Sequence, residues 1–195
     1  LFHIIYKYTI KQNQTIEIII NKSKFIGIIT NINNKEEAKE KINYYKNLYK
    51  DATHYCYGYI TNSSQKYDDD GEPSSTAGMP ILNSLKSNNL TNILCLVIRY
   101  FGGIKLGAGG LIRAYSKAAN KTLENNIKPL INGFIITIEF PYENIKQIDY
   151  LLKEYEIIKN FNNKITYTFK IKEEDLNKIT NNELFKITKK EKTTI

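Results

Sequence analysis

The sequence predicts an α+β protein in two parts, and three observations carry that prediction. Runs of strand length, rich in β-branched residues, alternate with segments whose apolar residues fall at helical spacing. One run, NILCLVIRYF (92–101), is almost continuously apolar, as a strand buried on both faces should be. Beyond residue 133 the order is strand, helix, strand, strand, helix, strand, which is the split βαβ, ferredoxin-like plan.

Each element has its own warrant. Residues 3–10 (HIIYKYTI) and 14–20 (QTIEIII) read as strands, and the short KQN between them makes a hairpin the natural expectation. Residues 24–32 (KFIGIITNI) continue as a third strand. The stretch 33–51 opens with an Asn cap, places Glu early and Lys late, and so suits a helix dipole; Ala38, Ile42, Tyr45 and Tyr49 give it one apolar face. THYCYGYI (53–60) is a strand with Thr53, Tyr55, Tyr57 and Tyr59 on one side and His54, Cys56 and Gly58 on the other. Residues 61–78 (TNSSQKYDDDGEPSSTAG) form a long polar loop, a kind of segment that often carries function. A short helix follows over 79–89, then the central strand 92–101. Gly107 to Gly110 open a helix that runs to about Asn125, with Leu111, Tyr115, Ala118, Ala119 and Leu123 as its buried stripe. Pro129 and Gly133 in NIKPLINGF mark a boundary, giving domains 1–128 and 129–195. The second holds strands 134–140, 155–161, 164–172 and 184–190, with helices 142–154 and 173–181.

Composition narrows the class of partner. A hydrophobic share of 42% and a charged share of 25% are those of an ordinary globular protein. No run approaches the roughly 18–20 apolar residues needed to cross a bilayer, so no membrane association is expected. LFHIIYKYTIKQ has neither a basic n-region nor a small-residue cleavage site, so no signal peptide is expected. Cys56 and Cys95 lie inside strands without metal-ligand spacing, which points to buried, reduced thiols, no metal and a cytoplasmic location. The net charge of +8 favours an anionic partner, but the abundance of Ile, Asn, Lys and Tyr is that of AT-rich codons and discounts it.

The 28 basic residues include only two arginines, Arg99 and Arg113, and both flank the glycine loop FGGIKLGAGG. Uncapped N–H groups at a helix start favour an anion such as phosphate. Gly102, Gly103, Gly107, Gly109 and Gly110 would supply the backbone, and Lys105, Arg113, Lys117 and Lys121 a basic edge. The same glycines would equally let a helix pack tightly on a sheet, and a lysine row is also what a solvated face looks like. The loop is neither a Walker A sequence nor a dinucleotide fingerprint, so no nucleotide cofactor is expected. Arg99 shares a strand face with Cys95 and Val97; a buried guanidinium needs a partner, and a clasp to Asp70 or Glu72 would pin the DDDGEP loop beside the glycine turn. For catalysis the candidates are His54, Asp69, Asp70 and Glu72, with Ser74, Ser75 or Thr76 as hydroxyls. No base–nucleophile motif links them, so the balance leans away from an enzyme.

The blocks HYCYGY, DDDGEPSSTAGMPIL and LVIRYFGGIKLGAGGLIRAY resemble the signature blocks of the IMPACT/YigZ family, in order and spacing, over roughly residues 15–126. The resemblance implies a first domain like domain 2 of ribosomal protein S5, and a small ferredoxin-like second domain related to one of elongation factor G. It carries the family pattern onto His54, Asp69, Asp70, Gly71, Glu72, Pro73, Thr76, Ala77, Gly78, Arg99 to Gly103, Leu106, Gly107, Gly109, Gly110, Arg113 and Tyr115. Two positions depart from it: Ser75 stands where the pattern has glycine, and Gly58 where alanine is common. Eukaryotic members regulate translation initiation by competing for the activator of an initiation-factor kinase. The implied function is a translation-associated regulator that binds RNA or the ribosome, with no cofactor. A protein-interaction module, or a metal-dependent hydrolase of a phosphorylated substrate held by Asp69, Asp70 and Glu72, are the alternatives.

Overall fold

The computed structural model describes residues 7–162, 164–180 and 182–195. Residues 3–6 of the first expected strand, the opening residues read for a leader, and residue 181 of the last expected helix lie outside them. The chain divides into two compact units, Leu1–Pro129 and Leu130–Ile195, and the fold class is α+β.

The first unit is built on an antiparallel sheet of five strands: β2 (Gln14–Ile20), β3 (Ser23–Asn31), β4 (His54–Ile60), β5 (Gln65–Asp68) and β6 (Ile93–Tyr100), in the order β2-β3-β6-β4-β5. The apolar run thus becomes the middle strand, buried from Ile93 to Arg99. Period-two alternation sends Phe25, Ile29, Cys56, Cys95 and Val97 to one face. There they meet α2 (Gly78–Ser87) and α3 (Gly107–Leu123). Ile26, Ile28, Leu96 and Ile98 point to the other face, where Tyr45 and Tyr49 of α1 (Lys35–Leu48 and its C-cap) pack. Burying each such aliphatic side chain contributes about 1.5–3 kcal/mol. The buried residues of α3 include Leu111, Tyr115, Ala118, Ala119 and Leu123, the stripe read from spacing.

Two expectations about connectivity fail. β1 (Tyr8–Ile10) makes no hairpin with β2; it pairs antiparallel with β7 (Ile127–Pro129) through Tyr8↔Pro129, Thr9↔Lys128 and Ile10↔Ile127. This pairing carries Ile10, with no exposed surface, into the core under α2 and α3. Asn126 fixes the junction: its side chain accepts from the Gln12 N–H and donates to the Gln12 and Thr122 carbonyls. The polar stretch 61–78 is also not all loop, because Gln65–Asp68 pairs with Tyr57–Ile60 as edge strand β5.

The second unit runs β8 (Asn132–Phe140), α4 (Ile145–Leu151), β9 (Ile157–Phe161), β10 (Ile165–Lys172), α5 (Asn177–Thr180) and β11 (Lys186–Thr194). Its antiparallel sheet has the order β11-β8-β10-β9, which is the ferredoxin-like arrangement. Single 3-10 turns at Tyr142–Asn144 and Glu173–Asp175 take up the first residues of both expected helices, and α4 stops three residues early. Its core joins Phe134, Ile136, Ile138 and Phe140 to Tyr167, Phe169, Ile148 and Ile179.

Candidate functional site

The DDDGEP loop turns tightly because Asp70 and Gly71 both adopt positive φ, 42° and 87°. Its four carboxylates are each spent on building the loop, beginning with Asp68, which accepts the Asp70 N–H at 2.8 Å. Asp69 accepts the backbone N–H groups of Ser75 (2.8 Å), Ala77 (3.0 Å) and Gly78 (2.8 Å), and so caps the start of α2. Asp70 accepts the Tyr55 N–H at 2.8 Å and pairs with Lys46 at 3.0 Å. Glu72 goes inward: its Oε1 accepts from Arg99 Nη1 at 2.6 Å and from the Tyr115 hydroxyl at 2.7 Å.

Arg99 and Glu72 are therefore brought together, and Asp70 is not part of that pair. The reason is local geometry: the positive-φ turn at 70–71 swings the two side chains apart, one to the β4 backbone and one beneath the loop. Arg99 also donates from Nη2 to Ser23 Oγ at 3.3 Å. Its guanidinium carbon lies 5.4 Å from the ring centres of both Phe25 and Phe101. A charge this buried is tolerated because it is paired, bonded and sandwiched.

The catalytic candidates do not assemble into a reacting set. His54 Nδ1 sits 2.9 Å from the Asp70 carbonyl, which can only accept, so this nitrogen carries the proton; Nε2 is 3.9 Å from Glu72 Oε1. Thr76 gives its hydroxyl hydrogen to the Pro73 carbonyl at 2.6 Å. Cys56 hydrogen-bonds to the Asp69 carbonyl. Burial pushes its thiol up, the Tyr115 hydrogen bond opposes that, and the acidic neighbours add to it. The thiol is held protonated, the opposite of a nucleophile's requirement. Burial, with Cys56 and Glu72 beside it, likewise raises the Tyr115 hydroxyl far above the usual tyrosine range. Among the described residues, no group of three or more His, Cys, Asp or Glu side chains is arranged to hold a metal ion. Asp69, Asp70 and Glu72 in particular face three different directions.

The glycine loop separates into two parts. Gly102 is a packing glycine: a Cβ there would fall 2.0 Å from the Lys22 carbonyl oxygen, and its N–H donates to Ser23 Oγ at 3.2 Å. That N–H is used, so Gly102 leaves the set of anion donors. Gly103 and Gly107 have positive φ, 84° and 69°, and take the chain out into solvent and back into α3. At Gly107, Gly109 and Gly110 the helix starts with no side-chain cap and no acidic residue in its first turn. Arg113 lies back along this turn, with Nη1 3.5 Å from where a Cβ of Gly109 would be.

Lys105, Arg113 and Lys117 are exposed and make no ion pair among the described residues. Lys121, expected on the same edge, is tied to Glu124. A fourth cation was missed. Lys22 is exposed, stands in the β2–β3 turn with Asn21 (φ 63° and 45°), and touches Gly102 through its backbone. The signal for it is the tight turn NK between strands, which brings residue 22 to the glycine loop 80 positions away. A cavity of about 290 Å³ lies between this turn and α3, lined by Asn21, Leu106, Gly110, Arg113 and Lys117 among others.

Comparison with known proteins places this arrangement. The family model described as the Impact N-terminal domain matches residues 21–123. IMPACT family member YvyE of Bacillus subtilis (strain 168) is 46% identical over 121 residues, which cover 60% of this chain and 56% of that protein. The chain thus spans little more than half of that relative's length. An IMPACT family member of Haemophilus influenzae is 34% identical over 146 residues, covering 71% of this chain and 70% of its own. Another, from Thermus thermophilus, is 35% identical over 136 residues, with 69% and 74% covered. A crystal structure of a hypothetical protein superposes with a TM-score of 0.61 at 27% identity, covering 88% of each chain. With the family model spanning more than half of its length, and two relatives matched over more than two thirds of theirs, the chain belongs to the IMPACT family.

Proposed function

We propose that this chain is a non-enzymatic, cytoplasmic protein of the translation apparatus that contacts RNA phosphates, free or on the ribosome, through the edge formed by Lys22, Lys105, Arg113 and Lys117. The observation that carries the reading is that these four exposed cations are without ion-pair partners among the described residues, and that Lys105, Arg113 and Lys117 lie within or next to the first turns of an uncapped helix. Cations kept for internal use would be paired, as Arg99 is with Glu72. The translation assignment rests on the family: its eukaryotic members regulate initiation, and the second unit has the ferredoxin-like sheet order that the elongation-factor resemblance implies. The hydrolase alternative has no support in the donor set, since Asp69, Asp70 and Glu72 each already accept hydrogen bonds from a different part of the protein. Among the described residues, no helix is long and apolar enough to cross a membrane.

The test is equilibrium binding to ribosomal RNA fragments and intact ribosomes across a salt series. Each cation that neutralises a phosphate contributes about 0.7–0.9 to the slope of log K against log salt. Arg113→Ala should weaken binding and lower that slope by about one. Wild-type affinity and slope in the Lys105→Ala/Arg113→Ala double variant would remove this edge as the contact. A partner retained after nuclease treatment, with no RNA binding, would favour the protein-interaction reading.

A further inference from the structure

Phe101 is the residue that the phosphate-contact reading leaves unexplained. It follows directly on the central strand, yet 46% of it is exposed, and Ile104 three residues on is 42% exposed. Nothing about it is loose. Its N–H donates to Thr53 Oγ1 at 3.0 Å, and the next N–H donates to Ser23 Oγ. Gly102 has no room for a side chain against Lys22. One side of the ring rests on the Arg99 guanidinium, itself held by Glu72 at 2.6 Å. The result is an aromatic ring pinned from below and open to solvent, with the exposed Lys105 four residues on in the same loop and the backbone of Lys22, whose residue is also exposed, packed against Gly102.

We infer that the occupant of this edge is single-stranded RNA, with a base stacked on Phe101 and the adjoining phosphates on Lys22, Lys105 and Arg113. This rests on the RNA-contact reading above and names its substrate class. A duplex keeps its base faces covered and would use the cations alone, leaving an exposed phenyl without purpose. A single strand presents base faces and phosphates together, and the pairing of a stacking ring with a cationic track is what binds it without sequence preference. The guanidinium beneath the ring adds polarisation without entering solvent. Among the described residues, strands β8 and β10 of the second unit offer no equivalent platform on the sheet face away from the core. On β8 and β10 that face carries Ile135, Thr137, Glu139, Thr166, Thr168 and Lys170, none of them aromatic.

The experiment compares a labelled 12-nucleotide single-stranded RNA with the same sequence as a duplex, using the whole chain. The sequence contains no tryptophan, so Phe101→Trp supplies one reporter at the site. The single strand should bind at least tenfold more tightly than the duplex, and should quench the fluorescence of the Phe101→Trp protein. Phe101→Leu should lose about tenfold in single-strand affinity with the salt slope unchanged, while Phe101→Trp keeps its affinity. Saturable binding without quenching, with Phe101→Leu as tight as wild type, overturns the stacking inference; Arg113→Ala still weakening binding would then leave the phosphate contact standing. Absence of any RNA binding at low salt overturns both.

Discussion

Ser75 sits at φ 62° on the solvent side of the DDDGEP loop, in the region where a Cβ costs roughly 1–2 kcal/mol. The family pattern has glycine there, and the backbone shows why: the left-handed turn at 75 folds the chain back so that the Ala77 and Gly78 N–H groups, beyond it, join the Ser75 N–H on Asp69. Glycine would remove the steric cost but gain unfolded-state freedom worth about 0.5–1 kcal/mol. Ser75→Gly should therefore stabilise the protein by about 0.5–1 kcal/mol, seen as a higher midpoint in urea with an unchanged slope. A lower midpoint would mean that the hydroxyl makes a contribution the backbone argument omits. The other departure, Gly58, has a packing counterpart, since a Cβ there would stand 2.8 Å from the Leu82 backbone nitrogen. Helix α2 lies too close to β4 for the alanine common in the family pattern. At this scale the sequence revealed chemistry better than geometry. That Arg99 needs a carboxylate from the acidic loop follows from a charged residue in an apolar strand; that Glu72 and not Asp70 supplies it depends on two consecutive positive-φ residues, of which only the glycine is suggestive in the sequence.

Helix α1 begins on a reciprocal cap that the sequence does announce, an Asn followed three residues later by Glu. Asn34 accepts the Glu37 N–H at 2.9 Å, and Glu37 reaches back to the Asn33 N–H at 2.9 Å while pairing with Lys41 at 3.0 Å. Burial raises the Glu37 carboxyl, but the Asn33 N–H and Lys41 outweigh it and leave the group below the usual glutamate range. A carboxyl lowered in the folded state binds its proton more readily when unfolded. Its contribution is thus present above the ordinary glutamate pKa and lost as pH falls through the lower folded value. Stability measured from pH 6 down to pH 3 should fall less steeply in Glu37→Gln than in wild type, and Asn34→Ala should cost about 1 kcal/mol at neutral pH. Identical acid slopes would show that the carboxylate is not held in this cap. The elements and pairings that escaped the sequence reading share a physical cause. β5 is a short edge strand, QKYD, with no apolar alternation to be read. β1 and β7 are three residues each, and their pairing joins positions 8–10 to 127–129, a long-range match to which local periodicity is blind. Long segments with a buried face, such as β6 and α3, were legible because burial itself writes the pattern.

The two units draw on separate sets of buried side chains, one gathered around Phe25, Val97 and Tyr115 and the other around Ile138, Tyr167 and Phe169. A unit as short as 130–195 has little stability in reserve, typically no more than about 3–5 kcal/mol from a single core of that size. Ile138 lies at its centre, fully buried on β8, with Tyr167 opposite on β10 and Ile187 on β11. Truncating it to alanine removes about 2–5 kcal/mol, depending on how far the surrounding rings close the gap. That loss matches the whole reserve of the second unit and falls on none of the side chains of the first. In Ile138→Ala, hydrogen exchange at the β8 and β10 amides should therefore approach unprotected rates, while the β6 amides keep wild-type protection. The RNA edge belongs to the first unit, so its affinity for the single-stranded probe should change by less than about twofold. Equal loss of protection in β6 would show that the chain unfolds as one cooperative body, and that a function placed on the first unit cannot be read apart from the second.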